Sequence, residues 1–459
     1  MTISDACYAR LEKITGPKNV TREKEELVCY SYDATGDIHL PDAVIFPGTE
    51  NEISQILQLA DQHQIIVVPR GAGSGMTGGA VPVKGGLVIS FSRMKKILEI
   101  DEKNLLVRVQ PGVVVGEIHR EVEKRGLFYP PDPASSSVCS IGGNVGECAG
   151  GPRAVKYGVT RDYVLGLRAV LVSGEVIQTG VRTAKGVAGY DLTRLIVGSE
   201  GTLAVVTEIT LKLLPKPETV KTMAVFFNCM QMAARAVSGI MKAGILPRCM
   251  EYLDHACLDL VKDALDFKLP ETCQALLIIE LDGNHQMVQQ DSDRVLGICD
   301  RFNAIHVMVA GNVMEINRLW QARRALSPIL FKIAKNKINE DIVVPIDKIP
   351  EMVKIIQEIK ESYNLTMVSF GHAGDGNIHC NIMYNKADEN ESIRAHKAVD
   401  KLFRQTLRLA GSITGEHGVG VTKLKYLPQE VGNTQIELMR GIKKVFDPNG
   451  ILNPGKIFS

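Results

Sequence analysis

The stretch Gln64-Ile-Ile-Val-Val-Pro-Arg-Gly-Ala-Gly-Ser-Gly-Met-Thr-Gly-Gly79 constrains the fold of this 459-residue chain more than any other. An apolar, β-branched run leads directly into a loop with five glycines between Gly71 and Gly79. A loop of that kind can turn several backbone N–H groups onto phosphate oxygens. It contains a literal G-x-G-x-x-G, Gly73 to Gly78, which in a doubly wound dinucleotide fold opens a helix whose N-terminus meets the pyrophosphate. Here Ala80-Val-Pro-Val-Lys-Gly-Gly-Leu-Val-Ile-Ser90 follows, with proline, glycines and a second strand-like run where that helix should be. The Rossmann reading is set aside, and a cradle of loop amides, with Arg70 beside it, takes its place. Pro130-Pro-Asp-Pro-Ala-Ser-Ser-Ser-Val-Cys-Ser-Ile-Gly-Gly-Asn144 is a second irregular stretch, too long to be a mere turn and of a kind that is usually functional.

Length and composition narrow the classes. A chain of this size makes two or three domains, and 45% hydrophobic with 23% charged residues describes an ordinary globular protein. Lys+Arg 53 against Asp+Glu 52, without a basic run, makes nucleic acid an unexpected partner. Ten dispersed cysteines lack any C-x-x-C pair, so they read as reduced thiols and not as cluster ligands. No apolar run approaches the roughly 18 residues a spanning helix needs, and the N-terminus lacks the plan of a secretory signal. The expected compartment is the cytoplasm.

Two of the chain's ten histidines flank one turn. In Ser369-Phe-Gly-His-Ala-Gly-Asp-Gly-Asn-Ile-His-Cys-Asn-Ile382, strand-like residues lie on both sides of a loop with Asp375-Gly376 as its turn chemistry. Pairing about the centre of Ala-Gly-Asp-Gly-Asn would set His372 and His379 opposite one another on one sheet face. A histidine near a turn is more often a hydrogen-bonded core residue than a ligand, and a pair leaves the two readings level. The glycine-flanked Glu416 and His417 of Gly415-Glu-His-Gly-Val-Gly420 tip the balance. Two imidazoles and one carboxylate suit a borderline divalent ion, zinc first with iron and manganese as alternatives, and leave coordination positions open for substrate. Further apolar patterns give helices at Met230 to Ala243, Leu258 to Phe267, Met287 to Phe302 and Ile349 to Tyr363, and strands at Ala275 to Leu281 and Ile342 to Val344.

Taken in order, PRGAGSGMTGG, PPDPASS followed by SIGGN, KYGV, GYDL and GSEGTLAVVTEITL resemble the FAD-binding domain of the vanillyl-alcohol oxidase and p-cresol methylhydroxylase (PCMH) superfamily. GHAGDGNIHCN, TGEHGVG and FDPNGILNPGK resemble its D-2-hydroxyacid dehydrogenase branch, which includes the glycolate oxidase flavoprotein subunit, D-lactate dehydrogenases and D-2-hydroxyglutarate dehydrogenase. The resemblance runs from about Pro41 to Lys456. It implies an α+β protein: a PCMH-type FAD-binding domain of two α+β subdomains at 1–217, an antiparallel-sheet cap with the substrate and metal sites at 218–417, and a segment at 418–459 returning to the FAD domain. The FAD would be noncovalent, because Arg70 to Gly79 contains no histidine. Its implied contacts are Pro69, Arg70, Gly71, Ala72, Gly73, Ser74, Gly75 and Gly78, then Pro131, Asp132, Ser137, Gly142, Gly143, Asn144 and Gly146, and finally Glu200, Gly201, Val205, Val206 and Asn453. Cys148, Gly186 and Ala204 depart from the family's usual asparagine, asparagine and glycine.

The resemblance also implies roles. His372, His379 and Glu416 would hold the metal, and His417 would take the hydroxyl proton while a hydride leaves C2 for the flavin N5. Trp320-Gln-Ala-Arg-Arg-Ala-Leu-Ser327 resembles the family's carboxylate-binding helix, with Arg323 as the clamp and Arg324 as the alternative. Asn339 stands where the 2-hydroxyglutarate enzyme carries a lysine for a second carboxylate, so a small monocarboxylate, D-lactate or glycolate, is expected. With no iron–sulfur, haem or NAD motif of its own, the chain is expected to pass electrons to an electron-transferring flavoprotein or an iron–sulfur subunit. The competing readings are a non-catalytic flavin subunit of an electron-transfer complex and a non-redox FAD enzyme of the same superfamily, such as the ether-lipid alkyl transferase.

Overall fold

In the computed structural model, which describes residues 3–183, 185–265 and 267–458, the run before the glycine loop is the strand Val67–Arg70. It pairs in parallel with Leu87–Ser90, which pairs in parallel with Ala43–Ile45, and Val20–Thr21 closes that edge antiparallel. The helix Glu50–Gln62 carries the chain from Ala43–Ile45 to Val67–Arg70, the two strands that flank Leu87–Ser90 on either side. Thr49 caps this helix by accepting the Glu52 N–H at 3.2 Å, and Glu50 and Glu52 place negative charge at its positive end. Ile53, Ile56, Leu57 and Ala60 then bury one stripe against the sheet's core. No helix lies between Gly71 and Ser90, as the proline and glycines there require. A second, antiparallel sheet has five strands in the order Ile97–Asp101, Leu106–Val109, Val205–Lys212, Val164–Val170, Val176–Gly180.

Both sheets belong to one compact unit, Met1–Gly150, Gly158–Lys216 and Glu416–Ser459. The C-terminal segment is tied into it by main-chain bonds: Val67 N–H donates to the Ile451 carbonyl at 2.9 Å, Asn453 N–H to that of Val67 at 2.8 Å, and Val421 N–H to that of Thr77 at 2.7 Å. Gly420 has φ of +50°, and a side chain there would collide with the Thr77 carbonyl.

The second unit, Gly151–Tyr157 and Pro217–Gly415, is built on a seven-stranded antiparallel sheet. Its strand order is Ala304–Val309, Thr219–Phe227, Ala275–Gly283, Cys249–Asp254, Thr366–His372, Asn377–Tyr384, Asn336–Val343. The helix Val313–Leu330 lies on one face and buries Leu319, Leu326 and Leu330 against Phe226, Leu276, Val368 and Phe370. The helix expected from Leu258 begins earlier, at His255, because Asp254 caps it by accepting the Cys257 N–H at 2.8 Å. It stops at Val261 and gives way to a 3-10 turn, Lys262–Ala264; Asp266, near the expected end, is outside the described residues. The strand expected at Ile342 to Val344 is longer, Asn336–Val343, since its polar first half pairs in full register with Asn377–Tyr384.

The segment Gly151–Tyr157 packs with the second unit, although its sequence lies within the stretch expected to form the first domain. Lys156 Nζ donates to Asp282 Oδ1 at 2.5 Å and Tyr157 Oη to Asp282 Oδ2 at 2.8 Å, an ion pair and hydrogen bond around a carboxylate with no exposed surface. All ten cysteines are free thiols. Among the described residues no helix is long and apolar enough to cross a membrane.

Candidate active site

The first unit offers a main-chain site. Five consecutive N–H groups, Gly71 to Gly75, donate to no protein acceptor among the described residues. Gly73 takes φ of +72°, and side chains at Gly71 and Gly73 would run into Ser140 Oγ and the Arg70 guanidinium. Arg70 is tucked within the loop: Nη1 donates to the Ala80 carbonyl at 3.2 Å, and burial holds its pKa below the usual arginine value. Asn453 donates Nδ2 to the carbonyls of Gly79 at 2.9 Å and Glu200 at 2.6 Å, while its buried Oδ1 has no partner among the described residues. Asn144 Nδ2 is likewise buried, with no N or O partner among the described residues. A row of unused amides with orphaned side-chain polar atoms in the same unit fits a polyphosphate-bearing nucleotide such as FAD.

Two of the expected contacts have structural duties as well. Glu200, at φ of +52°, accepts the Val419 N–H at 2.8 Å and the Gly420 N–H at 2.9 Å, bracing the C-terminal segment. Burial pushes its carboxyl pKa up against those two donors and the nearby Lys456 and Lys423. The Val205 side chain lies in the core cluster, so only its backbone is left for a ligand. The remaining expected contacts, Pro69, Gly78, Pro131, Asp132, Ser137, Gly142, Gly143, Gly146, Gly201 and Val206, all belong to this unit.

In the second unit the histidine turn is shifted from its expected register. His372 pairs with Asn377 and His379 with Phe370, so the two histidines are diagonal neighbours and not directly opposite. The strands close one residue earlier than the loop's centre, around Ala373-Gly374-Asp375-Gly376, with Gly376 at φ of +87° where a side chain would strike the Val344 carbonyl. Because the shift is an even number of residues along the facing strand, both imidazoles still share one sheet face. Their Nε2 atoms lie 3.3 Å apart, with ring planes at 86°. Two nitrogens about 2.05 Å from one tetrahedral zinc stand about 3.3 Å apart, so the pair has the spacing of metal ligands.

Glu251, which the sequence analysis passed over, completes this face. It sits on Cys249–Asp254 directly across from His372, wholly buried, and its Oε1 accepts from His372 Nδ1. Arg323 Nε donates to Glu251 Oε2 at 2.7 Å, and the guanidinium lies 4.5 Å over the Phe370 ring. Burial raises the Glu251 pKa, but His372 and Arg323 outweigh it and hold the group below its ordinary value. Arg324 points elsewhere: it is exposed and donates to the Asn317 carbonyl at 3.2 Å. A lone glutamate inside the apolar Cys249-Met-Glu-Tyr-Leu253 was the available signal, since a buried carboxylate requires partners. Asn339 pairs with the buried Asn381, whose Oδ1 has no partner among the described residues.

The second unit's chain ends beside the histidine strands. Gly415, last residue of the second unit, donates its N–H to Asp341 Oδ2 at 2.9 Å, and Asp341 is the strand partner of His379. Glu416 is the next residue, the first of the other unit's C-terminal segment. His417 follows, its carbonyl accepting from Thr77 Oγ1 at 2.8 Å.

An amide cradle for a nucleotide in one unit, with an imidazole–carboxylate cluster beside an arginine on the sheet of the other, suits a flavin-dependent oxidoreductase. Comparison with known proteins identifies which. Residues 41–180 match the FAD binding domain model and residues 216–457 the model of the C-terminal domain of FAD linked oxidases. The glycolate oxidase subunit GlcD of Bacillus subtilis is 45% identical over 98% of this chain and 96% of its own length, and the D-lactate dehydrogenase of Anaerostipes hadrus 36% identical over 91% and 89%. Among solved structures, p-cresol methylhydroxylase matches with a TM-score of 0.82 at 18% identity, over 99% of this chain and 97% of that one. Alkyldihydroxyacetonephosphate synthase matches with a TM-score of 0.78 at 19% identity, over 98% and 84%, and both likenesses speak to fold alone. The chain belongs to the FAD-linked oxidase family, as an oxidoreductase of the glycolate oxidase subunit and D-lactate dehydrogenase type.

Proposed function

We propose that this protein oxidises a small D-2-hydroxyacid, D-lactate or glycolate, to the 2-oxoacid in the cytoplasm and passes the electrons to a partner protein. The observation that carries the proposal is the ligand-like spacing of His372 and His379. Bound FAD supplies the two-electron acceptor. A divalent ion, zinc first with iron and manganese as alternatives, would be held by His372, His379 and Glu416 and would supply Lewis acidity toward the substrate's hydroxyl and carboxylate oxygens.

The chain's own groups do the rest. Arg323 keeps both terminal nitrogens without a protein hydrogen bond among the described residues, which leaves them for the substrate carboxylate. His417 takes the proton from the C2 hydroxyl oxygen as the C2 hydrogen leaves with its electron pair. Asn339, in place of a cation, gives no charge to pair with a second carboxylate. The chain offers no cluster motif, so an electron-transferring flavoprotein or an iron–sulfur subunit is the proposed acceptor.

Anaerobic addition of D-lactate or glycolate to the FAD-loaded protein should bleach the flavin absorbance, while L-lactate and D-2-hydroxyglutarate should act weakly. A fully loaded protein that none of these reduces would end the proposal. Rapid hydrogen peroxide formation by the isolated chain would remove the electron-accepting partner from it.

A further inference from the structure

We infer that Glu251 is a positioning residue shared by the two parts of the proposed substrate site: one oxygen sets the tautomer of His372, and the other orients Arg323 so that its terminal fork stays open. The inference rests on the function proposed above and names what aligns its metal and carboxylate anchors with each other.

The carboxylate has no exposed surface and stands in the middle of an apolar strand, flanked by Met250 and Tyr252. Such a group is costly to bury unless its oxygens are matched. Each oxygen has a different partner: Oε1 accepts from His372 Nδ1, and Oε2 accepts from Arg323 Nε at 2.7 Å. A neutral imidazole carries one N–H, so donation from Nδ1 leaves Nε2 as the lone pair, and Nε2 is the atom 3.3 Å from His379 Nε2.

The geometry on the arginine side is equally selective. An ordinary structural ion pair engages the terminal nitrogens, often two at a time. Here the carboxylate takes only Nε, and the Phe370 ring 4.5 Å below fixes the guanidinium plane. Neither Nη has a hydrogen-bond partner among the described residues. A substrate carboxylate must then be met end-on, through Nη1 and Nη2 together. Glu251 thus balances the Arg323 charge without occupying its fork, and it stands opposite His372 in the register, so one side chain spaces the two anchors.

Glu251→Gln tests this, because one of the two oxygen positions becomes an NH2 group that cannot accept from the N–H it faces, Arg323 Nε or His372 Nδ1. The FAD-loaded full-length variant is equilibrated with chelator-buffered zinc and analysed for bound metal, and its KM for D-lactate is measured, with FAD content and thermal midpoint as checks on folding. Zinc affinity should fall by about 10- to 100-fold and KM should rise by about tenfold or more, with FAD content unchanged. Wild-type values for either quantity overturn the shared role. In the double variant Glu251→Gln with Arg323→Lys, the KM penalties should be less than multiplicative, and full multiplicativity also overturns it. If Glu251→Gln does not fold, Glu251→Asp is measured the same way: its oxygens, one methylene short, should weaken both readouts, and wild-type behaviour in both overturns the inference. His372→Ala separates the two levels of argument, since full zinc retention in that variant would sink the metal reading itself, whatever Glu251 does.

Discussion

The two units present chemistry in opposite ways. The first offers backbone: five unused amides from Gly71 to Gly75, shaped by glycines that admit no side chain. The second offers side chains: Glu251, His372, His379 and Asp341 come from four strands and line one face because the registers Glu251 to His372 and Asp341 to His379 put them there. A backbone site is sensitive to an added carbon and indifferent to many truncations. A side-chain site has the reverse sensitivity. The largest expected effect exploits this contrast: His372→Ala or Glu416→Ala should lose the proposed metal and lower turnover about a thousandfold or more, with FAD content intact. A metal-free preparation that keeps full activity would break the contrast on the side-chain side.

His417→Ala comes next. It should retain both metal and FAD but reduce the flavin about 100-fold more slowly, the scale of a lost general base. A near-normal rate of anaerobic bleaching would move the base to another residue. Gly71→Ala addresses the other unit: its new methyl group meets Ser140 Oγ, an overpacking that should cost about 1–3 kcal/mol. The cost should appear as weaker FAD binding with metal content unchanged, and wild-type FAD affinity would show that the loop yields without consequence.

These sensitivities also explain what was legible beforehand. The cradle is a continuous stretch, so its strand, its glycines and the missing helix could be read locally. The histidine turn was read locally too, but its register was not, since four loop residues and six differ only by which pair closes the ladder. The even offset preserved the shared face. Glu251 is 121 residues before His372, and only the pairing of two distant strands brings them together. Asp341 was hidden for the same reason, in a strand whose polar first half carries little apolar pattern. Gly151–Tyr157 was misplaced because its partner Asp282 is more than 120 residues away.

Arg323→Lys sharpens the side-chain half of the comparison further. The charge survives, but the fork and its Nε bond to Glu251 do not, so the KM for D-lactate should rise about tenfold with kcat less affected. Arg324→Lys should change little, because that residue is exposed and tied to its own helix through Asn317. If only the second variant raises KM, the assignment shifts by one residue.

A last expected effect distinguishes the units by the sign of their response to alkali. In the first, burial lowers the Lys456 pKa to about 8, while its Nζ donates to the Val81 carbonyl at 2.6 Å. An unfolded lysine titrates near about 10.4, so between those values the unfolded chain holds a proton that the folded chain has released. Stability then rises with pH across that window, by an amount on the order of 3 kcal/mol. In the second unit, burial pushes the Cys299 thiol up to about 12. An unfolded thiol titrates near about 8.5, so here the folded chain keeps the proton that the unfolded chain loses. That contribution is fully present below pH 8.5 and declines as pH rises toward 12. Unfolding curves at pH 7.5, 9 and 10.5 for wild type, Lys456→Met and Cys299→Ala would separate the two. Relative to Lys456→Met the wild type should gain stability as pH rises, and relative to Cys299→Ala it should lose it. Parallel curves for wild type and Lys456→Met would mean that the buried amine has water or a counter-charge enough to titrate normally, and the contrast between the units would then be confined to their ligands.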